Sequence, residues 1–160
     1  MISKLNVSNS KGVTLLELLA VIVILGIISI IAIPSISNII QKSKDQAFVA
    51  NAYSMYEAAT IHVRAQEAAL NTPTYNDYKL TYKKLVEDDY LNAFQDPYTR
   101  NILLPKDNSF VLLKNDSGKI TYSVCLKGET KNICTDGSGV EKAVPIEQIS
   151  TEFILDNPSP

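Results

Sequence analysis

A single carboxylate, Glu17, stands immediately before the longest uncharged stretch of this 160-residue chain. From Leu18 to Ile40 no side chain carries a formal charge, and nearly all are leucine, isoleucine, valine or alanine. A charge near the centre of a membrane helix costs about 2.5 to 3.5 kcal/mol, so an acid there requires a positive partner or marks a boundary. No basic side chain follows within two helical turns. Glu17 therefore predicts either pairing with another molecule or the edge of a membrane-spanning helix.

Two cysteines, Cys125 and Cys134, are the only thiols in the chain. Lys4 and Lys11, with no acid in residues 1–12, are expected to hold the N-terminus in the cytoplasm and to direct the remaining chain outward. Outside the cytoplasm the natural state of such a pair is oxidised. We predict a disulfide, and two free thiols remain the alternative; the pair is too small for structural zinc, which takes four ligands.

Other reactive side chains match no known catalytic or metal-binding pattern. His62, the only histidine, falls on the apolar face of a predicted helix, where a packed and hydrogen-bonded imidazole is expected. The acids Asp88, Asp89, Asp96 and Asp107 match no calcium loop and are expected to be solvated. The chain has no nucleophile elbow and no phosphate-binding glycine loop. We predict no enzyme activity, no cofactor and no metal site.

The elements that position these residues follow from hydrophobic periodicity. Beyond Ile40, apolar residues return at helical spacing as far as Leu70. The pattern predicts one helix from Thr14 to Leu70, apolar all round in its first half and amphipathic in its second. The uncharged stretch is long enough to cross a bilayer, because about 20 helical residues span roughly 30 Å.

The second half of the chain predicts a small antiparallel sheet, so the expected fold class is α+β with the long helix packed on that sheet. Alternation of apolar and polar residues in the strand around Val124 gives it one apolar face. The predicted elements are a loop at 71–79, a short helix at 81–89, turns at 95–98 and 135–139, strands at 109–114 and 119–127 joined by a hairpin loop at 115–118, and weaker strands at 140–144 and 149–155.

The charge balance argues against a nucleic-acid partner. The chain holds 15 basic and 17 acidic residues, a formal net charge of −2. Affinity for nucleic acid comes largely from lysine and arginine that neutralise phosphates. The nearest approach to a basic run is Lys83-Lys84. We therefore predict no direct contact with DNA or RNA.

Residues 11–17 resemble the class III signal of type IV prepilins. In that family an aspartyl prepilin peptidase cuts after the glycine and methylates the new first residue, and a glutamate stands fifth in the mature chain. Gly12, Val13 and Glu17 match these positions, although the family usually has Phe or Met where Val13 stands. The resemblance also covers Gly26 and Pro34, which are expected to weaken the helix because one has low helix propensity and the other lacks an N–H.

The resemblance implies a division of the chain and a set of partners. Residues 1–12 form a cleaved leader, 13–40 a transmembrane and polymerisation helix, and 41–160 a pilin head. Within the head lie the amphipathic half-helix 41–70, an αβ loop 71–108, and the sheet with its disulfide region at 109–156. The implied partners are prepilin peptidase, the assembly platform with its ATPase, other minor pilins, and copies of the chain in a helical filament. The prepilin would cross the cytoplasmic membrane once with its N-terminus inside, and the mature chain would form an extracellular pilus.

Cleavage after Gly12 suggests a mechanism for assembly. It frees an α-amino group at Val13, which can serve as the positive partner of Glu17 in a neighbouring subunit. An unpaired buried carboxylate is costly, whereas a well-placed pair can set the register of two helices. The uncleaved leader would block this pairing by holding the amine in a peptide bond.

Three functions are compatible with these features. The first is a structural subunit of a type IV pilus used for adhesion, motility or biofilm formation. The second is a pseudopilin of a type II secretion or DNA-uptake system, because residues 85–98 resemble a pseudopilin segment. The third is a signal-anchored surface enzyme or binding module, for which Gly12→Ala or Glu17→Ala would leave function intact.

Overall fold

A computed structural model describes residues 14–70, 75, 77–134 and 142–157, with the side chains of 31–35 and 70 outside the description. The chain divides into two compact units, residues 1–41 and 42–160. The predicted α+β class is confirmed: a long helix packs on a small antiparallel sheet. The elements are α1 (Leu15–Leu70), β1 (Tyr78–Thr81), α2 (Tyr82–Glu87), β2 (Phe110–Asp116), β3 (Lys119–Lys127), β4 (Lys131–Ile133), β5 (Val144–Pro145), 3-10 turns at Ile146–Gln148 and Thr151–Phe153, and β6 (Leu155–Asp156).

Helix α1 begins one residue after the predicted start and ends at the predicted residue, Leu70. Its backbone stays helical past Gly26 and Pro34. The short helix α2 also forms where it was predicted, because Thr81 caps it: the Thr81 hydroxyl accepts a hydrogen bond from the Lys84 backbone N–H at 3.2 Å.

The predicted membrane span from Leu18 to Ile40 is not supported by the structure. Over the described residues, no helix has both the length and the apolar character that a bilayer crossing requires. The side chains of residues 31–35, in the middle of the predicted span, lie outside the description.

The strands run in the order β1-β2-β3-β4-β6, with β5 also paired to β3, and every pairing is antiparallel. The predicted hairpin loop between β2 and β3 is confirmed. Ser117 and Gly118 turn the chain with φ of 54° and 92°, which is the left-handed backbone that a two-residue hairpin needs. The Asn115 side-chain oxygen accepts a hydrogen bond from the Gly118 N–H at 2.9 Å, which closes the turn.

Several short strands of the sheet differ from the sequence predictions. Strand β1 begins inside the predicted loop 71–79, and β4 was not predicted. The weak strand predicted at 149–155 is a 3-10 turn followed by the two-residue β6, and the turn predicted at 135–139 lies outside the described residues. Strands of two to four residues are too short to show a period, so their pairing partners decide where they form.

The core lies between the second half of α1 and the sheet. The predicted apolar stripe of the helix is confirmed over its central part, where six of its members are at most 2% exposed: Phe48, Ala52, Met55, Ala59, His62 and Val63. Its members Val49 and Tyr56 are half-buried, whereas Ala69 is exposed and the side chain of Leu70 lies outside the description. Sheet residues such as Leu113 and Val124 complete the same cluster. Tyr56 of the helix meets Tyr122 of β3 edge-on, with ring centroids 5.2 Å apart.

Candidate functional site

The N-terminus of α1 is closed by a reciprocal pair of side chains, Thr14 and Glu17. The Thr14 hydroxyl oxygen accepts a hydrogen bond from the Glu17 N–H at 3.2 Å. In return, Glu17 Oε2 accepts the Thr14 backbone N–H at 2.9 Å and the Thr14 hydroxyl at 3.0 Å. This arrangement is a capping box, which satisfies N–H groups that the first turn leaves without helical partners. An acid in the first turn also interacts favourably with the helix dipole.

The capping box changes the interpretation of Glu17. The carboxylate has a hydrogen-bond partner within its own chain, whereas the sequence predicted a partner only in another molecule. The bonds to Thr14 use one oxygen, Oε2, and an ionised carboxylate offers about four acceptor positions, so a cation can still bind. Thr14 is the residue that the sequence reasoning missed. The signal was present as Thr-x-x-Glu in front of an apolar run.

An extended apolar surface follows this cap along α1. The described leucine, isoleucine and valine side chains between Leu15 and Ile40 keep at least 51% of their surface exposed, and Leu15 keeps 87%. Contiguous apolar surface of this kind marks a site of contact with a partner or a lipid phase. The acid and the apolar surface therefore lie next to each other at one end of the chain.

The remaining predicted processing residues are only partly visible. Gly12 and Val13 lie outside the described residues. Gly26 lies within α1, and a Cβ added there would meet nothing within 4 Å, so no tight packing requires a glycine. One turn further on, the Ser29 hydroxyl donates to the Leu25 carbonyl at 2.7 Å. Helix weakening at Gly26 and Pro34 stays a prediction.

The predicted disulfide is present. Cys125 in β3 and Cys134, which follows β4, are bonded and lie at 0% and 1% exposure. The bond holds β4 beside β3 at a point where the register offers only two residue pairs. It also explains why Cys125 is buried although it alternates with the apolar face of its strand.

Asp96 corrects a sequence prediction, because it is completely buried rather than solvated. Its Oδ1 accepts hydrogen bonds from the backbone N–H groups of Tyr98 at 2.8 Å and Thr99 at 3.3 Å, and its Oδ2 accepts the Glu129 N–H at 2.8 Å. A buried carboxylate is tolerated when N–H donors surround it. Asp96 thereby joins the loop before β2 to the turn between β3 and β4. That turn needs Gly128, whose added Cβ would lie 2.6 Å from Asp96 Oδ2.

The same loop is attached to α1 through Tyr98. Its hydroxyl donates a hydrogen bond to Asp45 Oδ1 at 2.7 Å, and its ring lies 5.6 Å from that of Phe48. Burial, followed by the hydrogen bond to Asp45, raises the pKa of the Tyr98 phenol. The phenol therefore stays protonated and continues to donate throughout the physiological range.

His62 is buried, as predicted, but its hydrogen bonds are not satisfied. Its Nδ1 has no hydrogen-bond partner among the described residues, and its Nε2 lies 3.8 Å from Asp88 Oδ2. Burial lowers the pKa of His62, and the nearby carboxylate of Asp88 opposes this effect. The acids Asp88 and Asp89 are exposed, as expected.

The comparisons with known proteins concern the N-terminal region. A family model described as the prokaryotic N-terminal methylation motif matches residues 7–33. The chain matches no curated protein and no solved structure at a significant level. The motif supports a type IV pilin-like or pseudopilin protein, and it is a structural motif rather than an enzyme class. The chain therefore carries, at residues 7–33, the class III signal peptide of type IV pilins and prepilins.

Proposed function

We propose that this protein is a prepilin that is cut after Gly12 and then polymerises through α1 into a type IV pilus. The observation that carries the proposal is the methylation motif at residues 7–33, since it implies peptidase processing and polymerisation. Before processing, the chain is held at the cytoplasmic membrane; after assembly it is part of a surface filament that serves adhesion, motility or biofilm formation. The head formed by residues 42–160 is carried on the outside of this polymer.

Two features of α1 support polymerisation. The first is the apolar surface between Leu15 and Ile40. Outside the membrane a bundle of identical helices would keep this surface out of water, which is favourable by about 25 cal/mol per Å² of apolar area. The second is Glu17, whose unused acceptor capacity can take the α-amino group that cleavage creates at Val13 of a neighbour. Copies related by a screw operation bring different surfaces together, which generates an open helical filament.

The experiment that tests the proposal is mass spectrometry of the mature N-terminus in protein isolated from cells. We expect the chain to begin at Val13, with one added methyl group on the α-amine. A Gly12→Ala chain should retain its leader and be absent from sheared surface filaments. An intact Met1 on a functional surface protein would instead identify residues 13–40 as a tether and would exclude the pilin function.

A pseudopilin is the second candidate, because the motif at residues 7–33 is shared by both classes. The two candidates predict different assemblies in the same cells. A major pilin forms long, stable surface filaments dominated by this subunit, whereas a pseudopilin acts within a secretion or DNA-uptake machine. Immunogold electron microscopy of intact cells, with an antibody to the head, separates them.

A further inference from the structure

His62 lies at the contact between α1 and the segment 82–90, which consists of α2 and the turn that follows it. The imidazole is 2% exposed. Its ring meets the ring of Tyr90 edge-on with centroids 5.0 Å apart, and its Nε2 points toward Asp88 Oδ2 at 3.8 Å. Both neighbours belong to the segment 82–90, so the imidazole contributes to the packing of this segment on α1.

The surroundings of His62 accommodate a neutral imidazole better than a charged one. In the neutral form one ring nitrogen donates and the other accepts, whereas the imidazolium presents two donors. Nδ1 has no partner among the described residues, and a separation of 3.8 Å at Nε2 is too long for a hydrogen bond. Protonation would place a charge on the buried ring and make Nδ1 a donor with no partner among the described residues, which is costly.

The charged groups that face His62 do not compensate for this cost. Asp88 is the nearest anion, but the Lys84 ammonium lies 3.0 Å from both of its oxygens. Lys84 therefore pairs with Asp88, and its own charge repels an imidazolium, which offsets part of the attraction by Asp88. Tyr90 contributes a perpendicular ring contact with centroids 5.0 Å apart. Both charged groups come from α2 or its C-terminal cap, so they move together with the segment 82–90.

We propose that His62 is an acid-responsive latch that holds the segment 82–90 against α1 while its imidazole is neutral and releases the segment when it is protonated. Five residues of this segment are exposed and only Tyr82 and Leu85 are buried, so few apolar contacts oppose its displacement from α1. The inference concerns the head and does not depend on filament assembly.

The direction of the pH effect follows from the pKa. Burial lowers the pKa of His62 from its ordinary value of 6.5, so the released state binds more protons below that pH. The segment 82–90 is therefore held against α1 above pH about 6.5. The stabilisation of this contact by the neutral imidazole is lost as the pH falls through the lowered pKa. Each unit by which the pKa of His62 is lowered corresponds to about a tenfold change in the equilibrium between the packed and the released segment.

Hydrogen exchange of the full-length protein at pH 7 and pH 5, corrected for intrinsic exchange rates, tests this proposal. We expect amides between residues 85 and 91 to lose protection at pH 5, and amides of β2 and β3 to keep theirs. In a His62→Gln variant, which has a neutral side chain at all pH values, the additional loss at pH 5 should disappear.

Two further variants keep the test decisive if His62→Gln does not fold. Lys84→Met frees Asp88 to pair with the imidazolium and should reduce the loss of protection at pH 5. Asp88→Asn removes the anion that lies nearest to His62 among the described residues and should increase the loss of protection at pH 5. The latch is overturned if wild-type protection is equal at both pH values, if these two variants change it in the same direction, or if the loss spreads evenly over the sheet.

Discussion

At the scale of single residues, Glu17 combines an observed role with a proposed one. The observed role is local, because its carboxylate and Thr14 cap the first turn of α1. The proposed role is intermolecular, since the same carboxylate would bind the α-amino group of Val13 in a neighbouring subunit. The two roles require different chemistry: a cap needs an acceptor oxygen, whereas a charge pair needs a negative charge.

Substituting Glu17 with Gln separates these roles, because Gln at this position also closes a capping box. We expect Glu17→Gln to be processed normally after Gly12. Filament yield should fall by at least about tenfold, because leaving one member of a buried charge pair alone costs about 3 to 5 kcal/mol. Sheared-filament yield and the size of the processed band measure assembly and cleavage.

The matched control is Thr14→Ala, which removes the cap hydroxyl and keeps the negative charge. It should cost the helix N-terminus about 1 kcal/mol and leave filament yield almost unchanged. The reverse pattern, in which Thr14→Ala stops assembly and Glu17→Gln permits it, would show that Glu17 acts only as a cap.

At the scale of elements, the loop between α2 and β2 is irregular in sequence but firmly attached. Asp96 connects it to the turn between β3 and β4, and Tyr98 connects it to α1 through Asp45. Each connection ends on a different element, so one loop joins the helix and the sheet. A loop without such hydrogen bonds is held only by the helices or strands at its two ends and is more mobile.

The substitution Asp96→Asn tests this anchoring. Asn has one acceptor oxygen, and its amide group would face a backbone N–H that now bonds to Asp96, so two donors would oppose each other. We expect a loss of about 2 to 3 kcal/mol in the free energy of unfolding, measured in urea. The exposed Asp107→Asn is the control and should change stability by less than about 0.5 kcal/mol. Equal effects of the two substitutions would contradict the anchoring role.

At the scale of the whole molecule, the chain separates an N-terminal segment with an exposed apolar surface from a second unit with its own core. The boundary between the compact units lies after Gln41, and every residue of the core cluster comes at or after Phe48. Ser43 and Gln46 form a Ser-x-x-Gln pattern, which can close a capping box at the start of the helix in a fragment that begins at residue 42. The head should therefore not require residues 1–41 to fold.

We expect a fragment of residues 42–160 to be soluble and to unfold cooperatively, with matching transitions in near- and far-ultraviolet circular dichroism. A fragment beginning at Val49 is the control. It lacks Phe48, which has 0% exposure in the core, and should lose about 3 to 5 kcal/mol of stability. Equal stability of the two fragments would place the start of the head after Phe48.

The sequence by itself determined the features that depend on local pattern. The apolar period predicted α1, the small turn residues predicted the β2–β3 hairpin, and the signal at residues 11–17 predicted the family motif found at 7–33. These features could be predicted because a period of 3.6 residues, a left-handed turn and a short motif each lie within one continuous segment.

Only the tertiary structure decided the features that join distant segments. Asp96 is buried in the fold, where its third hydrogen-bond donor is the backbone N–H of Glu129, far along the chain. The tertiary structure placed His62 beside Asp88 of the segment 82–90 and left the Nδ1 of His62 without a partner among the described residues. It also formed β1 and β4, which are too short to be recognised without the strands they pair with. In each case the free energy of a residue depends on partners that the local sequence does not specify.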